Sequence, residues 1–227
     1  DARIALNDLR AFFPGFAGSS ETMTLNALLS GRLSNLKVQD IAVEYGKTFK
    51  LNGSLELSGL PNLEESFIYS RVDRIQVNHA ELQDLVSRLQ NSPFHFPKEM
   101  REFGLITYQG NITGFLSNLV AFGIFKTDLG NVTSDISLRF ENKLHDLYYN
   151  GTLQTAGFNL SRFLSNTRLG TVQLKVNTRG TKRMNAPFKG KMTASVDRLD
   201  FNDYSYTNAK FEGEYDGSGF NGNILIK

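Results

Sequence analysis

The sequence predicts a mainly β protein: an elongated, curled antiparallel sheet forming a groove, with one short amphipathic helix. Three observations carry this. Apolar and polar residues alternate with period two in segment after segment, which makes strands with one dry and one wet face. Short turn sequences separate these segments, as in antiparallel meanders and unlike βαβ units. A phrase also recurs: "SGRLSNL" at 30–36, "TGFLSNL" at 113–119, and a looser relative, "SGLPNLEES", from Ser58. A catalytic motif normally occurs once, whereas a phrase that recurs is architecture.

Taken in order, "ALNDLRAFF" (5–13) has room for one or two helical turns. "LNGSLELS" sets Leu51, Leu55 and Leu57 opposite Asn52, Glu56 and Ser58. In "NHAELQDLVSRLQ", Leu82, Leu85, Val86 and Leu89 fall at i, i+3, i+4 and i+7, which predicts a helix at about 79–90. Asn78 can cap it, with Glu81 at capping-box spacing. Asp84 early and Arg88 late suit the helix dipole. Pro93 and Pro97 of "SPFHFPKE" end it. "NVTSDISLRFE" puts Val132, Ser134, Ile136, Leu138 and Phe140 on one face, with Thr133, Asp135, Ser137, Arg139 and Glu141 on the other. "NLSRFLS" (159–165) can form one or two helical turns. "TVQLKVNTR" sets Val172, Leu174 and Val176 against Gln173, Lys175 and Asn177. "FKGKMTASV" sets Phe188, Met192 and Val196 against Lys189, Lys191 and Ser195.

The glycines punctuate this pattern. "NGSLELSG" (52–59), "QGNITG" (109–114) and "NGTLQTAG" (150–157) each read as Asn/Gln-Gly, a short strand, then a small residue and Gly. These positions are expected at strand ends, where Gly supplies positive-φ turns or relieves crowding in a bent sheet. Gly31, Gly59 and Gly114 are unequally spaced, which argues against a fixed-period solenoid.

A sheet with one apolar face must bury that face. A sandwich needs a second sheet, and a helix layer needs more helices than this chain offers. Curling the sheet so that the dry face lines a trough is a third solution, about 55–60 Å long for a dozen strands. The apolar positions expected to line it are Leu55, Leu57, Ile112, Phe122, Ile124, Ile136, Leu138, Phe140, Val172, Leu174, Val176, Met192 and Phe211. The alternative is closed packing, a β-sandwich or barrel core with no cargo. Residues 1–227 read as a single elongated unit. The first residue is Asp1, and "NGNILIK" stops inside an alternating run. The chain is therefore expected to be a segment of a longer protein whose open edge strands can self-associate.

Composition excludes several functions. Net charge is +2, too small an excess for an electrostatically driven nucleic-acid binder. With no cysteine there are no disulfides, thiolate metal sites or Cys nucleophiles. No run reaches the 18 or so apolar residues of a membrane span, and there is no signal peptide. "GSGFNG" (Gly217, Gly219, Gly222) matches a dinucleotide fingerprint, but the residues after it alternate, so it reads as a hairpin turn. His79, His95 and His145 share no metal-ligand spacing. Asp135, Glu141, Glu212 and Glu214 fall on wet faces. No catalytic residue, metal or cofactor is expected. "RGTKRMNAPFKGK" gathers Arg179, Lys182, Arg183, Lys189 and Lys191. It reads as a solvated loop and strand face, with contact to anionic lipid headgroups as the sharper alternative. Five N-x-S/T sequons (Asn52, Asn111, Asn131, Asn150, Asn159) are read as Asn turn chemistry rather than glycosylation.

The order of these phrases resembles the repeat region of the TamB family, the large subunit of the translocation and assembly module. The resemblance rests on "LLSGRLSNLKVQDIAVEYGKTFKLNGSLELSGLPNLEES", "GNITGFLSNLVAFGIFKTDLGNVTSDISL" with its Thr-Asp-Leu-Gly turn (127–130), and "YNGTLQTAGFNLSRFLSNTRLG" (149–170). It spans roughly residues 20–227. It implies a periplasmic segment of an inner-membrane-anchored Gram-negative envelope protein, in the AsmA-like, bridge-type lipid-transfer group. The implied fold is a curled sheet with an apolar groove. The implied partners are phospholipid acyl chains, an outer-membrane β-barrel assembly partner bound by the parent protein, and the inner membrane through an anchor absent here. The implied function is phospholipid transport, outer-membrane protein assembly, or both. No catalytic residue carries over. The competing readings are an extracellular β-rich adhesion or glycan-binding module, and a polysaccharide-active enzyme on a β-scaffold. The first lacks Trp platforms and the second a recognisable acid/base pair.

Overall fold

The computed structural model describes residues 2–11, 13–62, 65–115, 117–142, 145–184, 186–217 and 219–225. Thirteen strands form one sheet in which spatial order follows sequence order and every pairing is antiparallel. They are β1 (Ala2–Ala5), β2 (Thr22–Arg32), β3 (Asn35–Tyr45), β4 (Phe49–Ser58), β5 (Phe67–Asn78), β6 (Leu105–Phe115), β7 (Asn118–Thr127), β8 (Gly130–Glu141), β9 (Asp146–Asn159), β10 (Leu169–Lys182), β11 (Phe188–Phe201), β12 (Tyr204–Tyr215) and β13 (Phe220–Leu225). The sheet does not close, since β1 and β13 are its two edges. The helices are α1 (His79–Gln90) and α2 (Leu160–Leu164), with 3-10 turns at Leu6–Ala11, Pro14–Phe16 and Lys98–Phe103.

Every one of these helical elements sits at the same end of the strands. The connections at that end run through residues 6–21, 46–48, 79–104, 128–129, 160–168 and 202–203. The recurring phrase explains part of the other, hairpin end. In "SGRLSNL", Arg32 pairs with Asn35 and Gly31 with Leu36. In "TGFLSNL", Phe115 pairs with Asn118 and Gly114 with Leu119. The phrase is a two-residue hairpin, and its glycine holds φ of +98° at Gly31 and +129° at Gly114, a region that side chains with a Cβ avoid. "SGLPNLEES" belongs to a longer connection between β4 and β5 and is not the same turn.

The Asn/Gln-Gly pairs lie elsewhere than expected. Gly53, Gly110 and Gly151 are inside β4, β6 and β9, not at strand ends. Their flanks continue the alternation, so the glycine creates space on the apolar face rather than a turn. Gly53 also adjoins a register shift between β4 and β5. Further shifts interrupt β2–β3, β3–β4, β5–β6, β9–β10 and β10–β11. Such bulges and glycine rows are what curve and coil a sheet. Three sequons, at Asn52, Asn111 and Asn150, are likewise mid-strand, while Asn159 caps α2 by accepting from Arg162 N–H at 2.9 Å.

The helix forms over the expected residues, and Asn78 Oδ1 accepts from Glu81 N–H at 2.8 Å. Glu81 does not complete the reciprocal capping box. Its carboxylate accepts from the N–H groups of Lys47, Thr48 and Phe49 and from the Thr48 hydroxyl. Thr48 Oγ1 in turn accepts from Asn78 N–H at 3.0 Å. The cap thus pins α1 to the β3–β4 turn. Leu85 packs beside the buried Leu6, Phe16 and Tyr45. Arg88 pairs with Asp84 at 2.7 Å and Glu21 at 3.3 Å, and the Tyr45 hydroxyl donates to the same two carboxylates.

The sheet is curled across its width. The segment after α1 is tied back to the helix, with Phe94 N–H donating to Ser87 Oγ and Phe96 N–H to Gln83 Oε1. Yet the Phe94 ring lies 6.4 Å from Phe188 of β11. Phe94 belongs to the connection between β5 and β6, and in a flat sheet β6 and β11 would be about 24 Å apart, which a segment tied back to α1 does not span.

Candidate functional site

The strand register gathers the apolar residues on one face. Leu55 and Leu57 of β4 lie opposite Ser70 and Ile68, which continue through Ile112 and Gly114 to Ala121 and Leu119, and on to Ile136 and Leu138. Leu138 lies opposite Tyr149 and Phe140 opposite Leu147. Val176 lies between Leu153 and Ala194, Leu174 between Thr155 and Val196, and Met192 between Thr178 and Gly213. Val172 shares the face with Phe158 and Leu199, and Phe211 with Ala194.

Phe122 and Ile124, expected on that face, are on the other one. Phe122 lies between Asn111 and Asp135, and Ile124 between Gln109 and Thr133. They are 56% and 43% exposed. In "LVAFGIFKT" both phases of the alternation are apolar, so periodicity cannot choose between them. The choice falls to Ala121, Gly123 and Phe125, because the Tyr108 ring of β6 needs the gap above Gly123 and packs 4.8 Å from Phe125.

The apolar face is sealed at some places and open at others. Around Val172, Ala194, Val196 and Ala209 it forms a buried cluster, flanked by Phe158, Leu160 and Leu174. Phe103 stacks on Phe163 of α2 at 5.5 Å, and Arg162 pairs with Glu102 at 3.5 Å, which holds α2 against the 98–103 turn. A second buried cluster underlies α1. Toward the hairpin end of β4–β8, Leu55, Leu57, Ile68, Ile112, Ala121, Ile136, Leu138 and Phe140 are all only half-buried. Among the described residues, no helix or second sheet packs over that stretch of the face.

Besides the small hydroxyl residues Ser70, Ser134 and Thr155, this face carries two larger polar features. The Tyr149 and Tyr215 hydroxyls share a hydrogen bond at 2.5 Å, with Thr178 Oγ1 2.9 Å from Tyr215 and Lys189 O accepting from Tyr149 at 3.2 Å. Burial, reinforced by the Tyr215 hydrogen bond, pushes the Tyr149 phenol far above its ordinary value. The other feature is Lys182. Of the basic cluster, Arg179, Lys189 and Lys191 lie exposed, with Lys191 paired to Glu214 at 2.6 Å. Lys182 instead lies opposite Leu147 and Phe188 on the apolar face and is 8% exposed. The tyrosine contact was missed in the sequence, and Lys182 was read there as part of a solvated basic cluster, with contact to anionic lipid headgroups as the alternative, whereas it is buried. For Lys182 a signal existed, because it shares the parity of Val172, Leu174 and Val176. The tyrosine contact joins residues 66 apart, and no local pattern announces it.

Apart from exposed apolar residues such as Phe122 and Ile124, the outer face carries mostly polar side chains. A depression of about 520 Å³ over β9–β13 is lined by Asn150, Asn177, Arg179, Thr193, Glu212 and Asn223, among others, and offers nothing to an acyl chain. Glu141, Asp135, Glu212 and Glu214 are exposed there. "GSGFNG" spans the β12–β13 connection, where Gly217 has positive φ, and runs into β13. Among the described residues no group of three or more His, Asp or Glu is placed to hold a metal, and no helix is long and apolar enough to cross a membrane. Comparisons with family models, with curated proteins and with solved structures find no match to this chain.

Proposed function

We propose that the chain is a segment of a scaffold whose apolar trough conducts or holds the acyl chains of phospholipids. It would act in lipid transport between membranes, in outer-membrane protein assembly, or in both. One observation carries the reading: the strip from Leu55 and Leu57 through Ile112 and Ile136 to Leu138 and Phe140 is continuous, apolar and only half-buried on a curled sheet. Apolar surface left uncovered on this scale marks a site for an apolar ligand or partner. The resemblance of the recurring phrases to the TamB repeat region supports a periplasmic setting, an inner-membrane anchor elsewhere in the parent protein and an outer-membrane partner.

The test is direct. Organic extracts of the purified chain, analysed by mass spectrometry, are expected to contain phospholipid in near-stoichiometric amount. A chain that purifies free of lipid and takes up none from vesicles rules out the trough as a lipid site.

A further inference from the structure

Lys182 is a cation buried among apolar groups. Its Nζ donates to Arg183 O at 3.1 Å and lies 5.0 Å from the centre of the Phe94 ring. Leu147 and Phe188 flank it across the strands. Among the described residues no carboxylate pairs with it. Asp146, next to Leu147, accepts instead from Met184 N–H and from the Asn142 amide. An ammonium has three donors, and two of these have no described acceptor. Burial lowers the Lys182 pKa, the expected response of a cation short of counter-charge. A ring face supplies only part of what is missing.

We propose that Lys182 anchors the anionic head, a phosphate ester or a carboxylate, of an amphiphile whose chain lies along the trough over Leu147, Phe140 and Leu138. This rests on the lipid-trough reading above. The anion supplies the charge and the acceptors that Nζ lacks, in a setting where charge-assisted hydrogen bonds are strong. The walls around Nζ are apolar, and among the described residues no second cation lies beside it on this face, so a small free anion gains one contact and loses its water. A ligand with its own hydrocarbon also covers the half-buried strip. The Phe94 ring is the stopper. Its backbone is held by Ser87 and its ring packs edge-on to Phe96 and Phe188, so the ring must turn aside for the head to reach Nζ.

Calorimetric titration of the purified chain with oleate, dodecyl phosphate, neutral monoolein and inorganic phosphate tests this, with the amphiphiles kept below their micelle concentrations. The two anionic amphiphiles are expected to bind at least about tenfold more tightly than monoolein, the scale of one charge-assisted hydrogen bond. Lys182→Met should erase that preference while leaving monoolein unchanged, and Lys182→Arg should keep it. Met matches the length of the aliphatic stem and removes an unpaired charge, so the variant is expected to melt no lower than the parent. If it does not fold, Lys182→Gln carries the same comparison. Retention of the anion preference in the Met or Gln variant overturns the proposal. So does displacement of oleate by inorganic phosphate at equal concentration, which would mark a free-anion site. Monoolein binding with no anion preference in the parent chain overturns the Lys182 anchor and leaves the trough standing. If no amphiphile binds, the trough and the anchor fall together.

Discussion

Tyr149 and Tyr215 touch through their hydroxyls at 2.5 Å although two strands, β10 and β11, lie between theirs. The register explains how. Tyr149 lies opposite Gly180, Gly180 opposite Gly190, and Gly190 opposite Tyr215. The two rings lie down over the glycine pair and meet above it, so four strands are tied together on the inner side of the curl. Any larger residue would fill the floor. A Cβ at Gly180 would come within 2.1 Å of Lys189 O and 2.4 Å of Tyr149 Oη.

Removing either hydroxyl is expected to cost about 1 kcal/mol, the net worth of one such bond. Tyr149→Phe and Tyr215→Phe share that bond, so the double variant should lose less than the sum of the two. Gly180→Ala should cost about 1–3 kcal/mol by overpacking, and Tyr149→Phe should not rescue it, because the backbone of Lys189 is also in the way. Urea denaturation of the parent and these five variants reads all of this.

The strand from Val132 to Phe140 was legible because one phase is apolar and the other is polar. The helix was legible because Leu82, Leu85, Val86 and Leu89 repeat at helical spacing inside good caps. Phe122 and Ile124 were not, because both phases of their strand are apolar and only the neighbours decide. The mid-strand glycines misled for a related reason: Asn-Gly is a turn signal only where alternation stops, and at Gly53 and Gly151 it continues. Glu81 fitted a capping box by spacing, but the β3–β4 turn offered its carboxylate more donors than the helix start did. The trough itself follows from curvature, and curvature comes from bulges and glycine rows whose positions depend on partners far away in sequence.

Glu81 should make stability depend on acid. Burial opposes its ionisation, but the Thr48 hydroxyl and the N–H groups of Lys47, Thr48 and Phe49 outweigh it, so its pKa lies below the ordinary value. An unfolded Glu titrates near 4.3. The unfolded chain therefore binds this proton more readily, so the stabilisation is full above about pH 4.3 and is lost as pH falls through the folded value. Glu81→Gln should flatten that part of the stability profile, and Glu81→Ala should cost about 2–3 kcal/mol at pH 7. Thermal melts between pH 3 and 7 measure both effects.

Leu85 fastens α1 to the cluster around Leu6, Phe16 and Tyr45. It is half-buried, so Leu85→Ala is expected near the low end of the cost for leucine truncation, about 2 kcal/mol. A change near zero in chemical denaturation would mean that the helix rests on its Glu81 and Arg88 contacts alone.

The edge strand β13 is exposed along its whole length and, among the described residues, pairs with β12 alone. Such an edge templates further pairing. Sedimentation should show association that grows with concentration. Asn223→Pro, which removes a backbone donor in mid-strand, should weaken it if β13 is the contact.

A charge placed on the apolar face should act in opposite ways at its two kinds of surface. Val172 is 2% exposed inside a sealed cluster with Ala194, Val196 and Ala209, so Val172→Asp buries an unpaired carboxylate and should unfold the chain. Leu174 packs against the same cluster, and Leu174→Arg should be nearly as damaging. Leu138 is half-buried on the uncovered strip, between Leu119 and Tyr149. There an aspartate keeps contact with water along the trough, so Leu138→Asp should remain folded with a modestly lowered melting temperature. It should also lose bound phospholipid, because a carboxylate in the path of an acyl chain must be desolvated. Circular-dichroism melts run beside lipid extraction separate the cases. A folded Leu138→Asp variant without lipid supports the trough. Unfolding of Leu138→Asp at the same level as Val172→Asp would mean that the strip is packed core, and lipid passage along it would be ruled out.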